Sequence, residues 1–155
     1  MTGQAPRVRQ GGIGKLEFLV LVAVIGVLAH ALLDRLVALE REGERTEVDL
    51  AVRNMGVGLR LAVGERLMRG QEDRLPELLE ANPVSFLGRL PRGYVAGGAE
   101  AGAGSWRFDP ATRTLSYRPR QPEAFGGSAE LRWKMDAQGL IAGRVAGIQL
   151  KRLPD

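Results

Sequence analysis

The sequence predicts an α+β fold: a long N-terminal helix, membrane-spanning in its first half and amphipathic in its second, packed on a small antiparallel sheet of about four strands. Three observations carry this expectation. Residues 18–29, FLVLVAVIGVLA, hold no charged or hydrogen-bonding side chain. Beyond them Val48, Val52, Met55, Leu59, Val63 and Leu67 recur every three or four residues, the period of one helix face. After residue 105, apolar and polar residues alternate in short runs separated by turn-forming residues.

The helix comes first. A chain of 155 residues, 45% of them hydrophobic, is long enough for one modest folded domain, but here the apolar residues are concentrated near one end. From Ile13 to Leu33 there are about 20 residues, which at the helical rise span roughly 30 Å, the hydrocarbon thickness of a bilayer. The simplest arrangement is one helix from about residue 13 to about residue 68. Its apolar half must sit in lipid or among like helices, while its second half lays its stripe on the chain's own globular part. Arg53, Arg60 and Arg69 fall between the stripe residues and keep the opposite face wet. The charged runs at residues 40–47, EREGERTE, and 64–74, GERLMRGQEDR, read as solvated faces laced with weak ion pairs. Gly43, Gly56, Gly58 and Gly64 weaken the helix, and a break near Gly43 is compatible with the sequence.

The residues ahead of the apolar run carry the functional information. Arg7 and Arg9 favour a cytoplasmic N-terminus. Glu17 sits at the mouth of the apolar segment, where a carboxylate costs up to about 2.5 to 3.5 kcal/mol at the membrane centre unless something pairs with it. Lys15 is poorly placed, because residues two apart do not face each other on a helix. Cleavage after Gly12 would give Ile13 a free amine that a neighbouring subunit could offer to Glu17.

These residues resemble the prepilin-type signal of the type IV pilin and type II secretion pseudopilin family: a basic leader, Gly12 before the cut, apolar Ile13 after it, Glu17 as fifth mature residue, and an unbroken apolar helix. The family commonly has Thr and an aliphatic residue where this chain has Gly14 and Lys15. The resemblance implies cleavage and N-methylation by a prepilin peptidase and partnership with other pilin or pseudopilin subunits and an inner-membrane assembly platform. It also implies a single-pass inner-membrane protein, N-terminus cytoplasmic and C-terminal domain periplasmic, that passes into a pilus or pseudopilus. Glu17 would orient the subunit during assembly. In the family this part of the helix can unwind, which makes Gly26 a possible flexible point; close helix packing through a small residue is the other reading of that position. Residues 1–12 would be the leader, 13–33 the membrane or filament-core half of the helix, and 34–70 its amphipathic half.

Two rivals keep the same apolar segment. Ala29-His30-Ala31 is an A-x-A pattern, so a secretory signal peptidase could release a soluble domain beginning at Leu32. An uncleaved single-span anchor would leave a periplasmic scaffolding or binding protein.

Residues 71–104 are expected to hold one short helix and loops. Residues 73–83, DRLPELLEANP, accept Pro76 near a helix start and stop at Asn82-Pro83. Residues 91–94 form a turn, and the glycine-rich 97–104 receives no structure. Residues 105–155 supply the sheet. Trp106 and Phe108 alternate with Arg107, Asp109-Pro110 starts a turn, and Leu115 and Tyr117 resume the alternation. Leu131, Trp133 and Met135 share one face of a third strand, residues 136–139 are expected to turn, and a last strand over 140–150 changes phase near Gly143 or Gly147, suggesting a bulge. Asn82-Pro83, the 91–94 turn, Ser105 to Asp109 and Leu115 to Tyr117 resemble the ordered landmarks of minor pilin-like proteins in type II secretion and mannose-sensitive-haemagglutinin-type pilus systems.

No catalytic constellation is legible, and the chain is not expected to be an enzyme. There is no cysteine, and the single histidine, His30, lies in the apolar segment as an interfacial or subunit-contact residue, so no cofactor or metal site is expected. Asp136 and Asp155 are too isolated for calcium. The net charge of +4, which loss of Arg7 and Arg9 would lower to +2, is too small to argue for nucleic acid.

Overall fold

Helix α1 runs without interruption over Lys15–Met68 in the computed structural model, which describes residues 14–97, 101–141 and 144–154. Gly43, where the sequence allowed a break, is helical. The chain divides into two compact units, residues 1–39 and 40–155.

In the first unit the described residues after Gly14 all belong to α1, and its large apolar side chains lie open, Val27 at 71% and Leu32 at 72% exposure. Among the described residues, α1 is the one helix long and apolar enough to cross a membrane.

In the second unit α1 turns one face inward. Val48, Met55, Leu59 and Val63 are buried, Val52 is half-buried, and Leu67 is exposed and lies outside the core. Each buried aliphatic side chain of this size contributes about 1.5 to 3 kcal/mol. Gly58, on the flank of this face, must be a glycine because a Cβ there would collide with the carbonyl oxygen of Phe86. The helix ends in a left-handed Gly70: the Gly70 amide donates to the Leu67 carbonyl at 3.1 Å and the Gln71 amide to that of Arg66 at 2.9 Å, satisfying two of the last turn's orphan acceptors.

A 3-10 turn, Glu72–Arg74, leads into the four-residue helix α2, Leu75–Leu78, whose Leu75 and Leu78 are buried. The expected single helix over 73–83 is therefore shorter. Asn82 starts a separate 3-10 turn, Pro83–Phe86, its Oδ1 accepting from the Val84 amide at 3.0 Å.

Five strands, one more than expected, form a sheet in sequence order: β1 Tyr94–Val95, β2 Ser105–Asp109, β3 Thr114–Arg118, β4 Leu131–Ile141 and β5 Arg144–Arg152. β1 pairs parallel to β2, and the Trp106 amide donates to the Gly93 carbonyl at 3.0 Å; the remaining pairs are antiparallel. The β2–β3 turn forms where Asp109-Pro110 places it. Asp109 accepts from the Ala111 amide at 2.9 Å and the Thr112 hydroxyl at 2.8 Å, and these two bonds, the hydroxyl first, hold its carboxyl below the usual aspartate range.

The expected turn over residues 136–139 is not a turn. Asp136 pairs with Gln149, Ala137 with Ile148 and Gln138 with Gly147, so β4 runs on to Ile141. The register holds from Trp133–Arg152 to Ile141–Arg144, which places no bulge at Gly147; Gly143 lies outside the described residues. Rows such as Phe108–Leu115–Trp133 and Trp106–Tyr117–Leu131 put the large side chains on one face. There Trp106 lies 4.7 Å from Tyr117 and 5.3 Å from Trp133 between ring centroids, against Val48 and Met55 of α1.

Candidate functional site

Glu17 lies in the first turn of α1, exposed, and makes no ion pair or side-chain hydrogen bond among the described residues. The partial positive charge of a helix N-terminus offers such a carboxylate about 0.3 to 1 kcal/mol, well short of its cost inside an apolar segment. Gly12 and Ile13, the expected processing pair, lie outside the described residues. Gly26 is fully helical, and a Cβ there would meet nothing within 4 Å, so no neighbour among the described residues requires a glycine at that position. His30 Nε2 stands 3.7 Å from Asp34 Oδ2 one turn further along, both exposed. Ala29 and Ala31 sit inside the same continuous helix.

The second unit holds a polar centre that sequence reasoning missed. Glu44 falls in a charged run expected to be solvated, yet it is only 6% exposed. Its Oε1 accepts from the Tyr117 hydroxyl at 2.8 Å and the Arg120 amide at 2.7 Å, and its Oε2 accepts from the Gln121 amide at 3.1 Å. Charge-assisted bonds of this kind are about twice as strong as neutral ones. They tie α1 to the end of β3 and the segment that follows it. Around them Arg41 Nε donates to Gln121 Oε1 at 3.2 Å. Burial first, and then the hydrogen bond to Glu44, push the Tyr117 hydroxyl well above the usual tyrosine range. A phenol held neutral and a carboxylate with both oxygens engaged form a fastener and have no free base or nucleophile. One signal could have found it: Glu44 lies one turn ahead of Val48, in phase with the buried stripe.

At the other end of the folded part of α1, Arg66 donates to the Arg74 carbonyl and to Glu77 Oε2 at 3.1 Å, and Arg74 Nε meets Glu77 Oε1 at 3.0 Å. The Arg74 bond, with help from Arg66, lowers the Glu77 carboxyl. These groups fasten α2 to the helix end. Among the described residues no three His, Asp or Glu side chains converge to hold a metal ion, and Asp136 lies in β4 opposite Gln149.

Compared with protein-family models, with curated proteins and with solved structures, the chain matches none.

Proposed function

We propose that the chain is a structural, pilin-like subunit of a type II secretion pseudopilus or type IV pilus and not an enzyme. On this reading it is cut after Gly12 and methylated on Ile13 by a prepilin peptidase, is held in the bacterial inner membrane by residues 13–33 with its folded domain in the periplasm, and is extracted by an inner-membrane assembly platform. The observation that carries the reading is Glu17: a carboxylate with no partner among the described residues, at the head of a helix whose apolar side chains lie exposed among them. Both deficits disappear together if copies or relatives of the helix pack side by side and each Glu17 meets the amine of a neighbouring mature chain. The Glu44 fastener suits such a subunit, because it keeps the folded domain attached to the helix that carries the load. A single-span scaffolding protein would need the anchor but would leave Glu17 without a purpose.

Affinity co-purification from membranes tests the proposal. The chain should bring down other pilin-like proteins, and Glu17→Ala should abolish this while leaving the chain in the membrane. Unchanged co-purification of the variant would remove Glu17 from the assembly step.

A further inference from the structure

Helix α1 carries a second stripe, on the face turned away from the sheet. Leu50, Asn54, Val57, Leu61, Gly64 and Met68 follow one another at spacings of four, three, four, three and four, the heptad interval. None is charged. At about 100° per residue they centre opposite the buried Val48, Met55, Leu59 and Val63. Leu50, Val57, Leu61 and Met68 are exposed, Leu61 at 70% and Met68 at 85%. Residues 86–89 border the stripe and line a cleft with Asn54, Val57 and Leu61, yet all three of those side chains remain exposed.

The polar residues of the stripe and its flanks select the occupant. In this heptad Leu50, Val57 and Gly64 fall at d positions and Asn54, Leu61 and Met68 at a positions. The Asn54 side chain makes no hydrogen bond among the described residues. Set against its own counterpart, an asparagine both donates and accepts, whereas a shift of one heptad, about 10.5 Å, would bury it against Leu61. Arg60 precedes Leu61 at an a position and Glu65 follows Gly64 at a d position, so they flank opposite sides of the stripe. Both are exposed; Arg60 is in no ion pair among the described residues, and Glu65 meets Arg69 through Oε1 at 2.7 Å. In a parallel pair in register, the residue before a on one helix lies beside the residue after d, five positions on, in the other, which sets each Arg60 beside Glu65 of the second copy. An antiparallel pair would instead bring the Arg53 and Arg60 flanks together.

We propose that this stripe binds a second copy of the chain, α1 against α1, parallel and in register. On the reading above, in which residues 13–33 lie in one membrane and on which this pairing rests, two copies run parallel. The apolar positions supply the buried surface, Asn54 sets the register, and the Arg60 and Glu65 pairs set the orientation. Because α1 is already packed on its own sheet, pairing does not have to order it.

The chain has no cysteine, so single cysteines placed in the full chain can be read by oxidation in membranes. Leu61→Cys should give a disulfide-linked dimer of two copies, and Asp49→Cys, also exposed but off the stripe, should not. Adding Arg60→Glu should lower the Leu61→Cys dimer at least about fivefold by setting acid beside acid, and adding Glu65→Arg as well should restore it. Co-expressed Leu61→Cys and Met68→Cys chains should each link to themselves and not to one another. No dimer with Leu61→Cys, an equal one with Asp49→Cys, mixed links as abundant as self-links, or no rescue by Glu65→Arg would overturn the proposal. So would a Leu61→Cys link to a different membrane protein in place of a second copy. The link requires neither Glu17 nor cleavage and should persist in Glu17→Ala. Its failure alongside Glu17-dependent co-purification would overturn the pairing and leave the filament proposal standing.

Discussion

The Tyr117 hydroxyl donates to Glu44 across 2.8 Å, joining the helix to a strand 73 positions later inside the apolar core. Two backbone amides share the same carboxylate, so the contact fixes the chain as well as the side chain. In Glu44→Gln, one oxygen becomes an amide NH2 group, a donor that faces another donor, and a buried polar group loses its partner. Denaturant unfolding of the full chain in micelles, followed by Trp106 and Trp133 fluorescence, should show a loss of about 2 kcal/mol. Tyr117→Phe leaves the amide bonds in place and should cost about 1 kcal/mol. A change near zero for Glu44→Gln would mean that the contact holds nothing together.

The same pair sets an alkaline limit. The folded state raises the Tyr117 pKa, so it favours the neutral phenol, and the stability this provides is complete below the unfolded value near 10. As pH rises above about 10 the unfolded chain ionises first and that stability drains away. Wild-type unfolding midpoints should therefore fall between about pH 10 and pH 12, and Tyr117→Phe, less stable at pH 7, should show a shallower fall. Parallel slopes would contradict the assignment.

Two glycines of α1 should respond to alanine in opposite directions. At Gly64 a Cβ meets nothing within 4 Å, so Gly64→Ala should raise stability by about 0.5 to 1 kcal/mol through helix propensity alone. At Gly58 the new Cβ would strike the Phe86 carbonyl, which the 3-10 turn Pro83–Phe86 holds in place. Gly58→Ala should cost about 1 to 3 kcal/mol despite the same gain in propensity. Stabilisation by Gly58→Ala would show that helix and turn do not touch.

Local period and turn chemistry made much of the fold legible. The stripe Val48, Met55, Leu59 and Val63 and the Trp106, Phe108, Leu115, Tyr117 hairpin lie where the 3.6 and 2.0 repeats place them. What depended on distant partners was not legible. Glu44 looked like one more solvated acid because its three donors lie more than 70 residues away. Tyr94–Val95 has too few residues to show a period and becomes a strand only by pairing with Trp106 and Arg107. Residues 136–139 have the composition of a turn, but pairing with Gln149, Ile148 and Gly147 draws them into a long strand. For the candidate site, Glu17 was legible because an acid facing an apolar run is conspicuous by charge alone.

That exposed acid also defines the decisive experiment, since its proposed partner is created only by cleavage after Gly12. Mass spectrometry of the N-terminal peptide should be made on chain isolated from membranes of a host that carries a prepilin peptidase. The filament-subunit proposal predicts a mature chain that begins with N-methylated Ile13, and a chain that begins at Leu32, or one that retains Arg7 and Arg9, would contradict it.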